Sequence, residues 1–123
     1  IVPATESRTI ALPRGQQIQI RGGIEAGTNL FHSFDRFNLD VDQTATFFAN
    51  PTIQNILGRV VSGEASRING LIQVNGNANL MLMNPAGILF GATARLDIPG
   101  SFTATTANRI GIGSGVFNAI GTN

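Results

Sequence analysis

The 123-residue sequence has no cysteine, tryptophan, tyrosine or lysine, and only 12% of its residues are charged. Without cysteine the chain forms no disulfide, and its single histidine cannot make an ordinary zinc site. The eight arginines are spread singly among seven acidic residues, which gives no basic face for a phosphate backbone. We therefore expect no metal, no cofactor and no nucleic-acid partner.

Long apolar runs are missing as well. A membrane-spanning helix needs roughly 18 to 20 consecutive apolar residues, so we expect no such helix here. Fifteen glycines, five prolines and twelve asparagines instead favour turns and disfavour long helices. Hydrophobic residues make up 42% of the chain, which is enough for one folded domain.

From about residue 66 onward, the pattern predicts short β-strands. Apolar runs of three to five residues alternate with turn-forming Asn-Gly, Asn-Pro and Pro-Gly pairs. The runs lie at residues 71–74, 80–83, 88–90, 96–98 and 102–105. Because Asn-Gly between apolar runs is also typical of antiparallel hairpins, a sandwich or meander stays open as an alternative.

The spacing of apolar residues favours a solenoid over those antiparallel folds. Ile68, Ile88 and Ile110 lie 20 and 22 residues apart, and Leu80 and Phe102 lie 22 residues apart. Such a repeat, of about one coil's length, is typical of coils whose short strands pair with the coils above and below.

The N-terminal part differs from these coils. Residues 9–12 and 17–20 are two amphipathic strand candidates that could form a hairpin or a first coil. We assign residues 1–45 to a cap over the open end of the solenoid and residues 46–123 to the coils. Because residues 111–120 are still strand-like, we expect further coils in the native protein, with this end frayed or paired with a neighbour.

The segment after Asn50-Pro51 has two interpretations. Apolar residues at 53, 56, 57, 60 and 61 match a helical template that begins with an Asn cap and Pro. Gly58 and the four Ile and Val residues fit a strand better.

Three groups of polar residues could carry chemistry. His32, Ser33 and Asp35 include a base, a nucleophile and a carboxylate, but triads normally converge from distant segments. We expect a structural role instead, because Phe31, Phe34 and Phe37 flank these residues and could anchor the segment over the core. Asp40 and Asp42 could bind calcium, although no calcium loop is present. Asp42 and Glu64 are the only acidic pair separated by one coil's length.

A family resemblance extends from about residue 29 to residue 105, which is most of the chain. The filamentous haemagglutinin N-terminal family, the secretion domain of two-partner secretion exoproteins, has an Asn-Pro-Asn-Gly-Ile segment. It is closely resembled by Ala78-Asn79-Leu80-Met81-Leu82-Met83-Asn84-Pro85-Ala86-Gly87-Ile88-Leu89-Phe90-Gly91.

Three further blocks follow the order of that family. Residues 29–39 are similar to its Phe-rich segment ending in Phe-Asn-Val. Asn50-Pro51-Thr52-Ile53 stands where the family has Asn-Pro-Asn-Leu, and residues 66–70 stand where it has Ser-Arg-Leu-Asn-Gly. The chain departs from the family at Thr52 and Ala86, where Asn is usual, and at Ile53, where Leu is usual.

The resemblance implies an all-β, right-handed parallel β-helix with an N-terminal β cap and small extra-helical strands. It implies strand and turn, not helix, near Asn50-Pro51. Two motifs would serve recognition or shape the turns: Asn50, Pro51, Thr52 and Ile53, and Asn84, Pro85, Ala86, Gly87 and Ile88.

The implied function is that of an N-terminal secretion domain, not an enzyme. The resemblance implies recognition by the periplasmic POTRA domains of an outer-membrane β-barrel transporter. It also implies export through the periplasm to the surface of a Gram-negative-type cell, where the domain would nucleate β-helix folding. The alternatives are a carbohydrate-binding adhesin module and, with less support, a fragment of a polysaccharide-acting β-helix enzyme.

Overall fold

The structure is a computed structural model that describes residues 1–107 and the backbone of residues 109–112 and 115–118. These described residues form fifteen strands and no helix, which confirms the all-β class. The strands are β1 (Val2–Pro3), β2 (Thr9–Arg14), β3 (Gln17–Gly22), β4 (Ile24–Ala26), β5 (Asn29–Arg36), β6 (Thr44–Phe48), β7 (Asn55–Val60), β8 (Ser66–Ile68), β9 (Leu71–Asn75), β10 (Asn79–Met83), β11 (Ile88–Phe90), β12 (Arg95–Asp97), β13 (Phe102–Thr105), β14 (Arg109–Ile112) and β15 (Gly115–Asn118).

Three parallel sheets wrap around one core. The first contains β5, β7, β10 and β13 side by side, and the second contains β3, β6, β9 and β12. In the third, β11 pairs with β8, and an isolated parallel bridge joins Leu39 to Ile68. The chain is therefore a parallel β-solenoid of about four turns. The solenoid prediction is confirmed, and the alternative of an antiparallel sandwich is wrong.

The coil repeat is irregular. Leu80 pairs with Phe102, as the sequence spacing predicts. Ile68 pairs with Phe90, and Ile88 pairs with Ser66, so the recurring isoleucines at 68 and 88 are not in register. Ile110 lies in β14, which pairs antiparallel with β15 outside the parallel ladders. The corner loops differ in length from coil to coil, which is why the sequence repeat is faint.

Antiparallel strands surround the first coil. β2 and β3 form a hairpin whose turn contains Gly15 at φ 61°, and β3 pairs in parallel with β6 on its other edge. β5 is likewise antiparallel to β1 and β4 but parallel to β7. Strand pairing thus changes from antiparallel to parallel across β3 and β5. The antiparallel partners of these two strands, β1, β2 and β4, lie at the N-terminal end of the column.

Pro13 lies on the outer edge of the β2–β3 hairpin. The Gly23 N–H donates to the Arg8 carbonyl at 2.8 Å. Along an antiparallel ladder, residue pairs joined by hydrogen bonds alternate with pairs that are not. Arg8 and Gly23 form a bonded pair, so Pro13 and Ile18 form an unbonded pair. An N–H at position 13 would therefore point away from β3. Proline is tolerated there, and its missing donor makes the edge a poor template for another strand.

The core is built from stacks of inward side chains. Each coil contributes one residue to a stack, and burying such a side chain stabilises the fold by roughly 1.5–3 kcal/mol. One stack consists of Leu30, Ile56, Leu80 and Phe102, in register through β5, β7, β10 and β13. The first three of these are almost completely buried, whereas Phe102 in the last coil is only partly buried.

The helical interpretation of the segment after Asn50-Pro51 is wrong. Residues 51–52 form a turn, and β7 begins at Asn55. Gly58 faces the core, where an added Cβ would lie 3.3 Å from the Phe34 ring. The expectation of a frayed or neighbour-paired C-terminal end falls on residues outside the described ones.

Candidate functional site

The Asn50-Pro51-Thr52 turn lies exposed at the corner between β6 and β7. The Asn50 Oδ1 atom accepts hydrogen bonds from the Thr52 N–H at 3.0 Å and the Thr52 hydroxyl at 3.1 Å. The Ile53 N–H donates to the Asn50 carbonyl at 2.9 Å, and the Ile53 side chain is buried in the core. Proline also fixes its own φ angle. The turn is therefore rigid, and Asn50, Pro51 and Thr52 are exposed to solvent.

A hollow of about 650 Å³ adjoins this turn. It lies between the corner that joins β6 to β7 and the corner that joins β9 to β10. None of the described residues that line it is charged. Its lining residues are Ala49, Asn50, Pro51, Ile53, Gln54, Asn75, Gly76, Asn77, Ala78 and Asn79. We call this hollow, together with the exposed turn, the corner site.

A second hollow, lined partly by charged residues, borders the corner site on the side of β3 and β4. Asn50 also lines this second hollow, together with Arg21, Glu25 and Phe48. The Arg21 guanidinium lies 4.0 Å from the centroid of the Phe48 ring, within the range of a cation–π contact. At Asn50, the uncharged hollow of the corner site therefore adjoins a hollow lined by Arg21 and Glu25, which carry opposite charges.

Asn84, in the second Asn-Pro motif, is completely buried. Its Nδ2 atom donates to the Glu64 carbonyl at 2.9 Å and to the Ser66 hydroxyl at 3.0 Å, and its Oδ1 atom accepts from the Ala86 N–H at 3.0 Å. Both ends of the side-chain amide are therefore bonded. Asn84 joins two coils, whereas Asn50 closes a surface turn.

The rest of the second motif follows this corner. Pro85 and Ile88 are half-buried, and Ala86 is exposed. Gly87 has φ 117°, and its carbonyl accepts the Ser66 N–H at 3.0 Å. At Ala86 only a backbone N–H takes part in the turn, so the alanine in place of the family's usual Asn leaves the Asn84 bonds intact.

An asparagine ladder was missed by the sequence reasoning. Asn55 donates to Asn29 at 3.0 Å, and Asn79 donates to Asn55 at 3.1 Å. The N–H and the hydroxyl of Ser101 then both donate to the Asn79 Oδ1 atom, at 2.9 and 3.0 Å. The ladder could have been found in the sequence as an asparagine followed by an aliphatic residue, repeated at steps of 26 and 24 residues.

His32 and Ser33 lie on opposite faces of β5. The His32 ring is completely buried, with its Nδ1 atom 3.0 Å from the Thr9 hydroxyl. Burial lowers the pKa of His32 to about 4, because an apolar environment disfavours the charged form. The Ser33 hydroxyl instead accepts a bond from the Arg59 Nε–H at 2.6 Å. The structure therefore does not assemble a catalytic pair here.

The three phenylalanines of this segment lie on two faces of the sheet. Phe34 and Phe37 are buried in the core, with their ring centroids 5.0 Å apart in an edge-to-face contact. Phe31 is partly buried on the other face of β5, where it packs against Leu57 and Met83.

The acidic residues are not brought together either. Asp42 lines a hollow with Arg95 and Thr93, whereas Glu64 forms an exposed ion pair with Arg36 at 2.7 Å. The Asp40 N–H is bonded to the Gln43 side chain at 2.8 Å. Among the described residues, no three histidine, aspartate or glutamate side chains gather as a metal-binding set.

These features define a class of protein, a capped parallel β-solenoid with a rigid surface turn. Within the part of the chain that the structure describes, no helix is long and apolar enough to cross a membrane. The family model of the TPS secretion domain matches residues 1–122, and the chain belongs to this family. No curated protein matches the chain.

The family assignment sets the broad function. A TPS secretion domain is a targeting domain and does not belong to a known enzyme family. It is the N-terminal secretion domain of a two-partner exoprotein. The chain therefore belongs to a secreted exoprotein of Gram-negative type that uses a partner transporter.

Proposed function

We propose that the corner site is the surface by which the POTRA domains of the partner transporter recognise this secretion domain. The contrast between the two Asn-Pro motifs carries the proposal. Asn50 is exposed on a rigid turn beside an open hollow, whereas the buried Asn84 amide has its hydrogen-bonding groups occupied. A pre-organised surface loses less conformational entropy on binding, so the first motif serves recognition and the second shapes the fold.

The same domain nucleates folding of the exoprotein after transport through the periplasm to the cell surface. The described partners of β11, β12 and β13 all lie on the preceding coil. Phe90 and Leu96 are in register with the buried Ile68 and Ile72, yet they remain 45% and 48% exposed. A following coil would cover them at roughly 25 cal/mol per Å² of apolar surface.

Recognition is tested with variants that change the corner site without disturbing the core. Asn77 is exposed on the rim of the hollow, so Asn77→Arg should place a bulky positive charge at the hollow and change the free energy of unfolding in urea little. Ser62→Arg adds the same charge at an exposed position outside that lining and serves as the control. We expect Asn77→Arg to weaken binding to the purified POTRA domains and to reduce secretion, and Ser62→Arg to do neither.

A second pair of variants separates the two motifs. Asn50→Ala should reduce POTRA binding by more than about tenfold, a change typical of a central interface contact. Asn84→Ala should mainly lower the unfolding free energy, by about 1–3 kcal/mol, because it leaves buried partners unpaired. Normal POTRA binding by both Asn77→Arg and Asn50→Ala would refute the proposed site.

Nucleation is tested by refolding a longer chain that carries further coils. Leu96→Ser should slow the refolding of those coils more than it slows the refolding of the domain alone. Equal slowing of both would contradict a templating role for this end of the column.

A further inference from the structure

The sequence contains two Asn-Gly pairs, and the structure places them in different surroundings. Asn75 and Gly76 are both exposed, at the end of β9 and on the rim of the hollow. No described atom lies within 4 Å of the place where a Gly76 side chain would begin. Within the described residues, the Asn75 side chain forms no hydrogen bond. Asn75 is the last residue of the β6–β9 ladder, where it is in register with Phe48, and Gly76 lies beyond that ladder. The peptide unit between Asn75 and Gly76 is therefore held on one side only.

The other pair, Asn69-Gly70, is held on both sides. The Asn69 carbonyl accepts the Thr93 hydroxyl at 2.6 Å, and the Gly70 carbonyl accepts the Arg95 N–H at 3.0 Å. Gly70 is buried, and a side chain there would overlap the Gln43 carbonyl oxygen. Rotation of the peptide unit between Asn69 and Gly70 would break the Thr93 bond and displace a neighbouring coil.

The chemistry open to an unrestrained Asn-Gly pair is intramolecular. The glycine nitrogen attacks the asparagine side-chain carbonyl carbon, so an N–C bond forms, the bond to the side-chain nitrogen breaks, and ammonia leaves. Water then opens the resulting five-membered succinimide at either carbonyl and gives aspartate or isoaspartate. Glycine permits this attack because it lacks a side chain beside the nitrogen and its backbone rotates easily.

We propose that Asn75 is a self-modification site of the folded protein and that Asn69 is protected by the coil stack. The product places a carboxylate in a hollow whose described lining residues are uncharged. An isoaspartate also lengthens the backbone by one methylene group in the turn between β9 and β10. If the corner site binds the transporter, as proposed above, this change alters the recognised surface.

The proposal is tested by incubating the full chain at mildly alkaline pH and following both asparagines by peptide mass spectrometry. In the folded protein we expect deamidation at Asn75 to be at least about tenfold faster than at Asn69, since reaction of a held segment requires local opening. In urea, where both pairs are free, the two rates should become similar. The Asn75→Gln variant should lose the fast site, because glutamine must close a larger ring.

Similar rates at the two asparagines in the folded chain would overturn the proposal, and so would the absence of modification at Asn75. The readout is a mass change that involves no transporter. Its failure is therefore distinguishable from a failure of the proposed recognition function.

Discussion

Lowering the pH from neutrality should destabilise this domain through its single histidine. Burial lowers the pKa of His32 from 6.5 to about 4, and the groups that contact its ring, Thr9, Phe34 and Phe47, are uncharged. The neutral form is therefore favoured in the folded state, and protonation favours the unfolded state. The associated stability is fully present above about pH 6.5 and is lost as the pH falls towards about 4.

The size of the effect follows from these two pKa values. Between about pH 7 and about pH 5, the linkage gives a loss of about 2 kcal/mol in unfolding free energy. This is a large fraction of the roughly 5–15 kcal/mol that stabilises a typical domain. The Nε2 atom of His32 has no hydrogen-bond partner among the described residues, so no acceptor there compensates the added charge.

The assay is urea unfolding at a series of pH values, with His32→Leu and Thr9→Val as variants. His32→Leu should lose about 2 kcal/mol of the pH-dependent change, because the titrating group is gone. Thr9→Val breaks the hydrogen bond to His32 but keeps the ring, so it should be less stable while retaining the pH dependence. If wild type and His32→Leu lose equal stability between these pH values, the assignment to His32 is refuted.

Two further pairs of substitutions test the packing. Gly70→Ala should cost more than about 2 kcal/mol, because the new side chain overlaps the Gln43 backbone, whereas Gly15→Ala, in open space at φ 61°, should cost only about 1 kcal/mol. Similar losses for both in urea unfolding would contradict the tight coil contact at Gly70. Leu80→Ala should cost about 3 kcal/mol and Leu96→Ala about 1 kcal/mol, because only Leu80 is fully buried. An equal loss for these two would show that the last coil is covered.

The bounds of strands β9 to β13 could be predicted from the sequence to within about one residue. Residues 88–90 and 102–105 coincide with β11 and β13, and residues 71–74 fall within β9. These runs are predictable because alternation and turn residues are local signals. The hydrogen-bond register between coils is not local. It depends on the length of each corner, so the spacing of Ile68 and Ile88 does not show that Ile68 is in register with Phe90.

The candidate site could be predicted only as a motif. The pairs Asn50-Pro51 and Asn84-Pro85 look alike in the sequence, yet Asn50 is exposed and Asn84 is buried. The difference arises because Glu64 and Ser66 from the preceding coil surround the Asn84 amide. A single sequence does not show which of its corners is covered by another coil.

The two ends of the column also differ in their capacity for self-association. Open filaments require a surface on one copy to fit a different surface on the next. Here the half-exposed Phe90 and Leu96 lie at one end, while the other end presents a hairpin whose edge contains Pro13. The two ends are not complementary, so head-to-tail stacking of separate copies of this domain is disfavoured.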